Sequence, residues 1–204
     1  MSIVKFTNGK FPVLNINGTK KLIDLPSTVL IGDKKYKTIK IGSLLWISEN
    51  LDYIDEQFYT TYNQYEPTAL KINGHDEYGK YYNYYGRQRI RDILPEGWRV
   101  PTSGDFNNLI NAVGSNNSSL LRTDTQWSNP GLNTLKFNAY PSGYINYFSS
   151  QQEVGRAFYC ESYTNRSGNR YYQLVITDGD TNNIKQQDYD ADNCFPIRVC
   201  KNAE

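Results

Sequence analysis

The sequence predicts an α+β domain, with one or two helices packed on short antiparallel strands and an extended N-terminal arm in front. Three observations carry this. Residues 29–47 alternate apolar and polar side chains, residues 102–113 carry a capped, one-faced apolar stripe, and from residue 135 onward short apolar runs recur between polar turns.

Residues 1–28 read as the arm. The β-like runs SIVKF, FPVLNI and KKLIDL are separated by Asn8-Gly9 and Asn17-Gly18, pairs that suit tight hairpin turns because both positions tolerate positive φ. A segment this short buries little of its own surface, so it is expected to anchor on the main domain or on another chain, with Pro26 near its end. The main domain is residues 29–204.

That domain opens with TVLIG, YKTIKIG and SLLWIS, in which Ile39 and Ile41 alternate with Thr38 and Lys40 as in a half-buried strand. Residues 52–85 are rich in Tyr, Asn, Gly and Asp and read mostly as loop, entering a helix near Tyr82. Next comes ILPEGWRVPTSGDFNNLINAVG. Pro101 forces Val100 to be extended. Thr102 or Ser103 caps a helix, Asp105 sits in its first turn, Phe106, Leu109, Ile110 and Val113 share one face, and Gly114 ends it. Such a stripe needs a sheet to cover it. Segments 135–145, 155–164, 170–177, 183–187 and 194–201 are the expected strands, with TDGDTNN closing a hairpin and GSNNSS and SYTNRSGN as mobile loops.

Twenty-two Lys and Arg against 21 Asp and Glu give a net charge of +1, which supplies no long-range field for nucleic acid or an acidic membrane. The one dense cationic run, Arg87, Arg89 and Arg91, reads as a solvated helix face. No apolar stretch approaches the ~18 residues of a membrane span, and the N-terminal run is interrupted too early for a signal peptide, so neither insertion nor a leader is expected. Cys160, Cys194 and Cys200 are too few for a disulfide scaffold and are expected as free thiols.

Motifs for chemistry are missing. There is no Gly-x-Ser-x-Gly elbow or phosphate loop, and a lone loop histidine, His75, reads as exposed. One His and three scattered Cys lack zinc spacing. The acidic runs 178–183 and 188–193 place carboxylates at alternate positions, but neither has the glycine and terminal Glu of a calcium loop. Turn chemistry accounts for the same residues, so plain turns and a looser oxygen cage both stay open. Glu49, Glu96 and Glu161 are not brought together by anything in the sequence. The expectation is no enzyme and no cofactor.

Five blocks then carry a resemblance: YKTIKIGSLLWISENLDY (36–53), GKYYNYYG (79–86), LPEGWRVPTSGDFNNLI (94–110), LKFNAYPSGYI (135–145) and CFPIRVCK (194–201). In this order they resemble the Fibrobacter succinogenes major paralogous domain over about residues 29–201. The resemblance implies a fold similar to C-type-lectin-like domains and to the formylglycine-generating enzyme group. It assigns Trp46, Glu49, Asn50, Trp98, Arg99, Pro101, Thr102, Gly143 and Arg198 to the scaffold. The chain departs from the family at Phe158-Tyr159-Cys160, where Phe-Trp-Ser is usual, which implies altered core packing. Its cysteines do not match the copper-holding pair of the formylglycine-generating enzymes, and the calcium-lectin signatures are absent, Trp127-Ser128-Asn129 being a faint echo.

Function by this reading is recognition rather than catalysis. Eighteen tyrosines offer large contact area at low entropic cost, and Tyr59, Tyr62, Tyr65, Tyr147 and Tyr163 are the candidate contacts for a host-surface glycan or protein. A lectin-like display fold with an arm and no leader fits a bacteriophage virion component, a head- or tail-fibre or decoration protein assembled in the host cytoplasm. Its arm would join other virion proteins and its copies would form a homo-oligomer. A purely structural virion or assembly protein, an enzyme related to the formylglycine-generating group, and placement in the bacterial cytoplasm or on the cell surface by a non-standard route are the alternatives.

Overall fold

In a computed structural model, residues 27–178 and 183–203 are described, together with the backbone of Ile3–Val4 (β1), Val13–Ile16 (β2) and Thr19–Leu22 (β3). These three strands pair antiparallel in the order β1-β2-β3. The two Asn-Gly turns and Pro26 lie outside the described residues.

The alternating stretch forms Thr28–Ile31 (β4), Lys34–Ile41 (β5) and Leu44–Ile47 (β6). Loops then lead through Ala69–Leu70 (β7) and Tyr81–Tyr82 (β8) into the helix Tyr84–Ile93 (α1) and the helix Ser103–Val113 (α2). After them come Tyr144–Ile145 (β9), Gln151–Gln152 (β10), Ala157–Ser167 (β11), Arg170–Thr177 (β12), Ile184–Asp190 (β13), Phe195–Pro196 (β14) and Cys200–Asn202 (β15). The chain's last strand returns to the sheet of β4, β5 and β6, giving the order β15-β6-β5-β4, while β11-β12-β13 and β14-β8-β7 form two three-stranded sheets and β9 pairs with β10. Pairing between the named strands is antiparallel throughout, so the predicted α+β class with two helices holds.

Helix α2 forms for the local reasons its sequence announces. Thr102 Oγ1 accepts from the Asp105 backbone N–H at 3.2 Å, and Asp105 Oδ2 accepts from the Thr102 N–H at 2.9 Å, a reciprocal cap that satisfies two orphan donors. Its buried Phe106, Leu109 and Val113 meet Ile41, Leu44 and Trp46 of the β15-β6-β5-β4 sheet, and Phe158, Leu174 and Ile176 of the β11-β12-β13 sheet. The helix is therefore covered from two sides. A second core holds Ile90 of α1 with Tyr36, Ile47, Tyr82, Val100, Ile197 and Val199.

Several expectations change. Segment 135–145 is strand only at Tyr144–Ile145, because Lys136 and Asn138 take positive φ of 56° and 53° and coil the chain. Block 194–201 is likewise interrupted between β14 and β15. The cationic run is not a solvated face. Arg87 is 1% exposed and pairs with the buried Glu161, Arg89 pairs with Asp55 at 2.7 Å, and only Arg91 stays in the open beside Asp92. His75 is half-buried, stacked on Tyr78 with centroids 4.4 Å apart, and its Nδ1 lies 3.2 Å from Glu77 Oε1.

Candidate functional site

The segment Trp98–Thr102 ties three parts of the fold together. Arg99 exchanges backbone hydrogen bonds with Cys200 of β15 at 2.9 and 3.0 Å, and the Pro101 carbonyl accepts from the Tyr163 N–H of β11 at 2.7 Å. The Arg99 guanidinium grips Asp105 with two bonds of 3.0 and 2.6 Å and reaches Asn202 at 3.0 Å. Burial alone would raise the Asp105 carboxyl, but the Arg99 guanidinium and the Thr102 donors outweigh it and hold it below the usual range. Trp98 is half-buried, packs against the second core, and carries Lys201 Nζ over its ring at 5.8 Å.

The other residues assigned to the scaffold have equally specific partners. Arg198 is fully buried, and its Nε donates to Asn50 Oδ1 at 2.8 Å while its two terminal nitrogens donate to the carbonyls of Phe137 and Asn138. Burial pulls this guanidinium down to about 10. Asn50 also donates to the Tyr78 carbonyl at 2.9 Å, Trp46 stacks on Phe106, and the half-exposed Glu49 lies 3.4 Å from Lys34. Gly143 has φ of 59°, and a Cβ there would stand 2.1 Å from the Gln152 carbonyl oxygen, so the position excludes side chains.

Cys160, Cys194 and Cys200 are free and buried. Burial pushes the Cys160 thiol up to about 12, which makes it an inert core group beside Phe158. Of the two acidic runs, residues 179–182 lie outside the described residues. In the other, Asp188 is bound by Arg166 and Arg170, whose guanidinium groups lower its carboxyl, and Asp190 lies 3.7 Å from Arg170. Among the described residues no group of three or more His, Cys, Asp or Glu is placed to hold a metal ion, and no helix is long and apolar enough to cross a membrane.

The tyrosines divide between packing and surface. Tyr144, Tyr159 and Tyr189 pack with Phe195, and the Tyr159 and Tyr189 hydroxyls meet at 3.1 Å. The five candidate contacts do not form one patch. Tyr59 is exposed beside the strand pairing at Thr68, while Tyr147 is exposed with Phe148 at the β9–β10 turn. Tyr62 is half-buried and donates to the Asp192 carbonyl at 2.8 Å, with burial raising its phenol. Tyr163 accepts from Arg91 at 2.7 Å.

Tyr65, 71% exposed, has different company. It lines a cleft of about 350 Å³ with Tyr84 and Tyr85 from the start of α1 and Tyr171 from β12, while Gln64, Asn169 and Asp192 form the polar rim. Sequence reasoning did not single out Tyr84, Tyr85 or Tyr171. The doublets YYNYY and RYY were the available signal, but the three segments are joined only by the tertiary fold. Beneath the cleft, Arg87 stands 4.0 Å from the Tyr171 ring and 5.0 Å from the Tyr84 ring, and donates to Glu161 and to the Ser162 carbonyl. Burial pushes the Glu161 carboxyl up, while Arg87 and Gln173 draw it back. Burial and the neighbouring Tyr171 also raise the Tyr84 phenol, keeping it a hydrogen-bond donor.

These observations define an α+β domain of short antiparallel strands and two helices, with a tyrosine-lined cleft carried on packed elements. The chain belongs to the Fibrobacter succinogenes major domain family, whose family model matches residues 39–201. No curated protein matches the chain, and no solved structure matches it.

Proposed function

We propose that this chain is a non-catalytic recognition module with a C-type-lectin-like arrangement, displayed on a virion and contacting a glycan or protein of the host surface. The observation that carries the reading is the cleft, in which four tyrosines from three segments meet over a buried ion pair. Amphipathic rings give large contact area at a low ordering cost, which is what a recognition surface needs. The carboxylates that would serve an acid–base pair are engaged instead, Glu161 with Arg87 and Glu49 with Lys34. The arm would join other virion proteins or further copies of the chain.

The experiment is binding of labelled full-length protein to a panel of bacterial cells, with Tyr65→Ala/Tyr85→Ala as the variant. Tyr65 is 71% exposed and Tyr85, 38% exposed, gives up only its edge contact with Tyr84, so the melting temperature should fall by no more than a few degrees. Binding should fall at least tenfold; unchanged binding refutes the cleft. Mass spectrometry of purified particles tests the virion placement, and recovery of the protein only as a free cytosolic monomer contradicts it.

The exposed Tyr147–Phe148 pair, with rings 4.1 Å apart, favours a second reading in which the domain is an assembly protein that joins copies through this turn. Tyr147→Ser/Phe148→Ser would then lower the mass in solution and leave cell binding intact.

A further inference from the structure

We infer that the tyrosine cleft takes the neutral, hydroxyl-rich end of a saccharide. The inference rests on the recognition reading and narrows its ligand to one chemical class.

The walls argue for a thin ring with apolar faces. Tyr84 and Tyr85 meet edge to face, with centroids 5.2 Å apart and planes at 87°, and Tyr84 meets Tyr171 at 5.6 Å and 48°. The rings therefore stand at different tilts around one small space, about 350 Å³, rather than forming a flat platform. A pyranose presents C–H faces to such walls and hydroxyls around its edge. An amphipathic helix would need an apolar groove and an added strand a free sheet edge, and the cleft lining contains no aliphatic side chain; a proline-rich peptide, which docks on aromatic grooves, is the competing occupant and is indicated if no glycoside binds.

The rim argues for hydroxyls. Gln64 and Asn169 each offer a donor and an acceptor, and the Asp192 carboxylate offers only acceptors. Asp192 is positioned on both sides, its carbonyl accepting from Tyr62 at 2.8 Å and its carboxylate lying 3.4 Å from Gln64 Nε2. A carboxylate placed here accepts from two neighbouring hydroxyls of a sugar.

Charge argues against acidic sugars. Asp192 is the one charged residue of the lining, and it is negative. The nearby guanidinium of Arg87 does not compensate, because that residue is 1% exposed and already paired with the buried Glu161. A uronate or a phosphate would meet repulsion without a partner.

The test is saturation-transfer NMR on the full chain with methyl glycosides of glucose, galactose, mannose and N-acetylglucosamine, and with glucuronate as the acidic probe. At least one neutral glycoside should receive saturation through its ring C–H protons. Its affinity should fall about tenfold in Tyr65→Ala/Tyr85→Ala, and should fall in Asp192→Asn while glucuronate gains relative to it. Binding of glucuronate alone, or neutral binding unchanged in the tyrosine variant, overturns the inference. If no probe binds but the tyrosine variant still loses cell binding, the saccharide class is wrong and the recognition reading survives. If that variant keeps cell binding, the recognition reading falls as well.

Discussion

Replacing Asp105 by Ala removes one carboxylate that serves two structures at once. It accepts from the Thr102 backbone N–H and hydroxyl, each at 2.9 Å, and takes two bonds from Arg99. Breaking a fully buried ion pair costs about 3–5 kcal/mol and an exposed one about 0–1. Here the Asp105 side chain is 6% exposed and that of Arg99 34%, so about 2 kcal/mol is the reasonable share for the pair. Loss of the reciprocal cap adds about 1 kcal/mol. The expected total is about 3 kcal/mol, or a fall of about 6–12 °C in Tm for a domain of this size. Urea denaturation and thermal melting read it directly, and the double variant with Arg99→Ala should recover part of the loss through coupling. The acid limb carries the same signature. A carboxyl held below its unfolded value near 3.9 stabilises the fold above that pH and ceases to do so as pH falls through its folded value, so the variant should lose stability less steeply below about pH 4. A loss under about 1 kcal/mol, or an unchanged acid limb, refutes the reasoning.

Three further outcomes follow from single contacts. Gly143→Ala forces a Cβ into the Gln152 carbonyl at 2.1 Å with φ at 59°, and should cost about 2–4 kcal/mol in urea denaturation. Arg87→Met strands the buried Glu161 charge and should cost about 3–5 kcal/mol, most of which the companion Glu161→Leu should restore. With Cys160, Cys194 and Cys200 all buried, a thiol reagent at pH 8 should label the native protein slowly and the denatured protein with three equivalents; fast labelling of one native thiol contradicts the packing.

The parts of the fold that were legible are those whose causes lie close together in sequence. Helix α2 announces itself because Pro101, Thr102, Asp105 and the Phe106–Leu109–Val113 stripe fall within one short segment. β5 is readable as a strand for the same reason, Ile39 and Ile41 sharing the face toward one core, whereas Thr38, expected on the polar face, is buried on the side that carries Tyr36. The Arg87 run misleads because its partner Glu161 is 74 residues away, and local charge density says nothing of a distant carboxylate. Segment 135–145 misleads likewise. Its apolar Phe137 is buried, but the chain coils there so that the carbonyls of Phe137 and Asn138 can receive Arg198 from 61 and 60 residues on. The cleft lay beyond local reading for a related reason. Tyr65 stands out in a polar loop, whereas Tyr84 and Tyr171 look like helix and strand residues until the fold sets them at 5.6 Å.

In the proposed division of labour a corner holds the fold and the tyrosine cleft meets a ligand, and one paired measurement tests it. Thr102→Ala and Tyr65→Ala/Tyr85→Ala are compared for Tm and for cell binding at a temperature where both stay folded. Loss of the cap, about 1 kcal/mol, should lower Tm by a few degrees and leave binding intact, while the tyrosine variant should lose binding at least tenfold with a Tm no lower than that of the cap variant. The reverse pattern, binding lost at Thr102 and kept without the two tyrosines, would place the site at the corner and contradict the division.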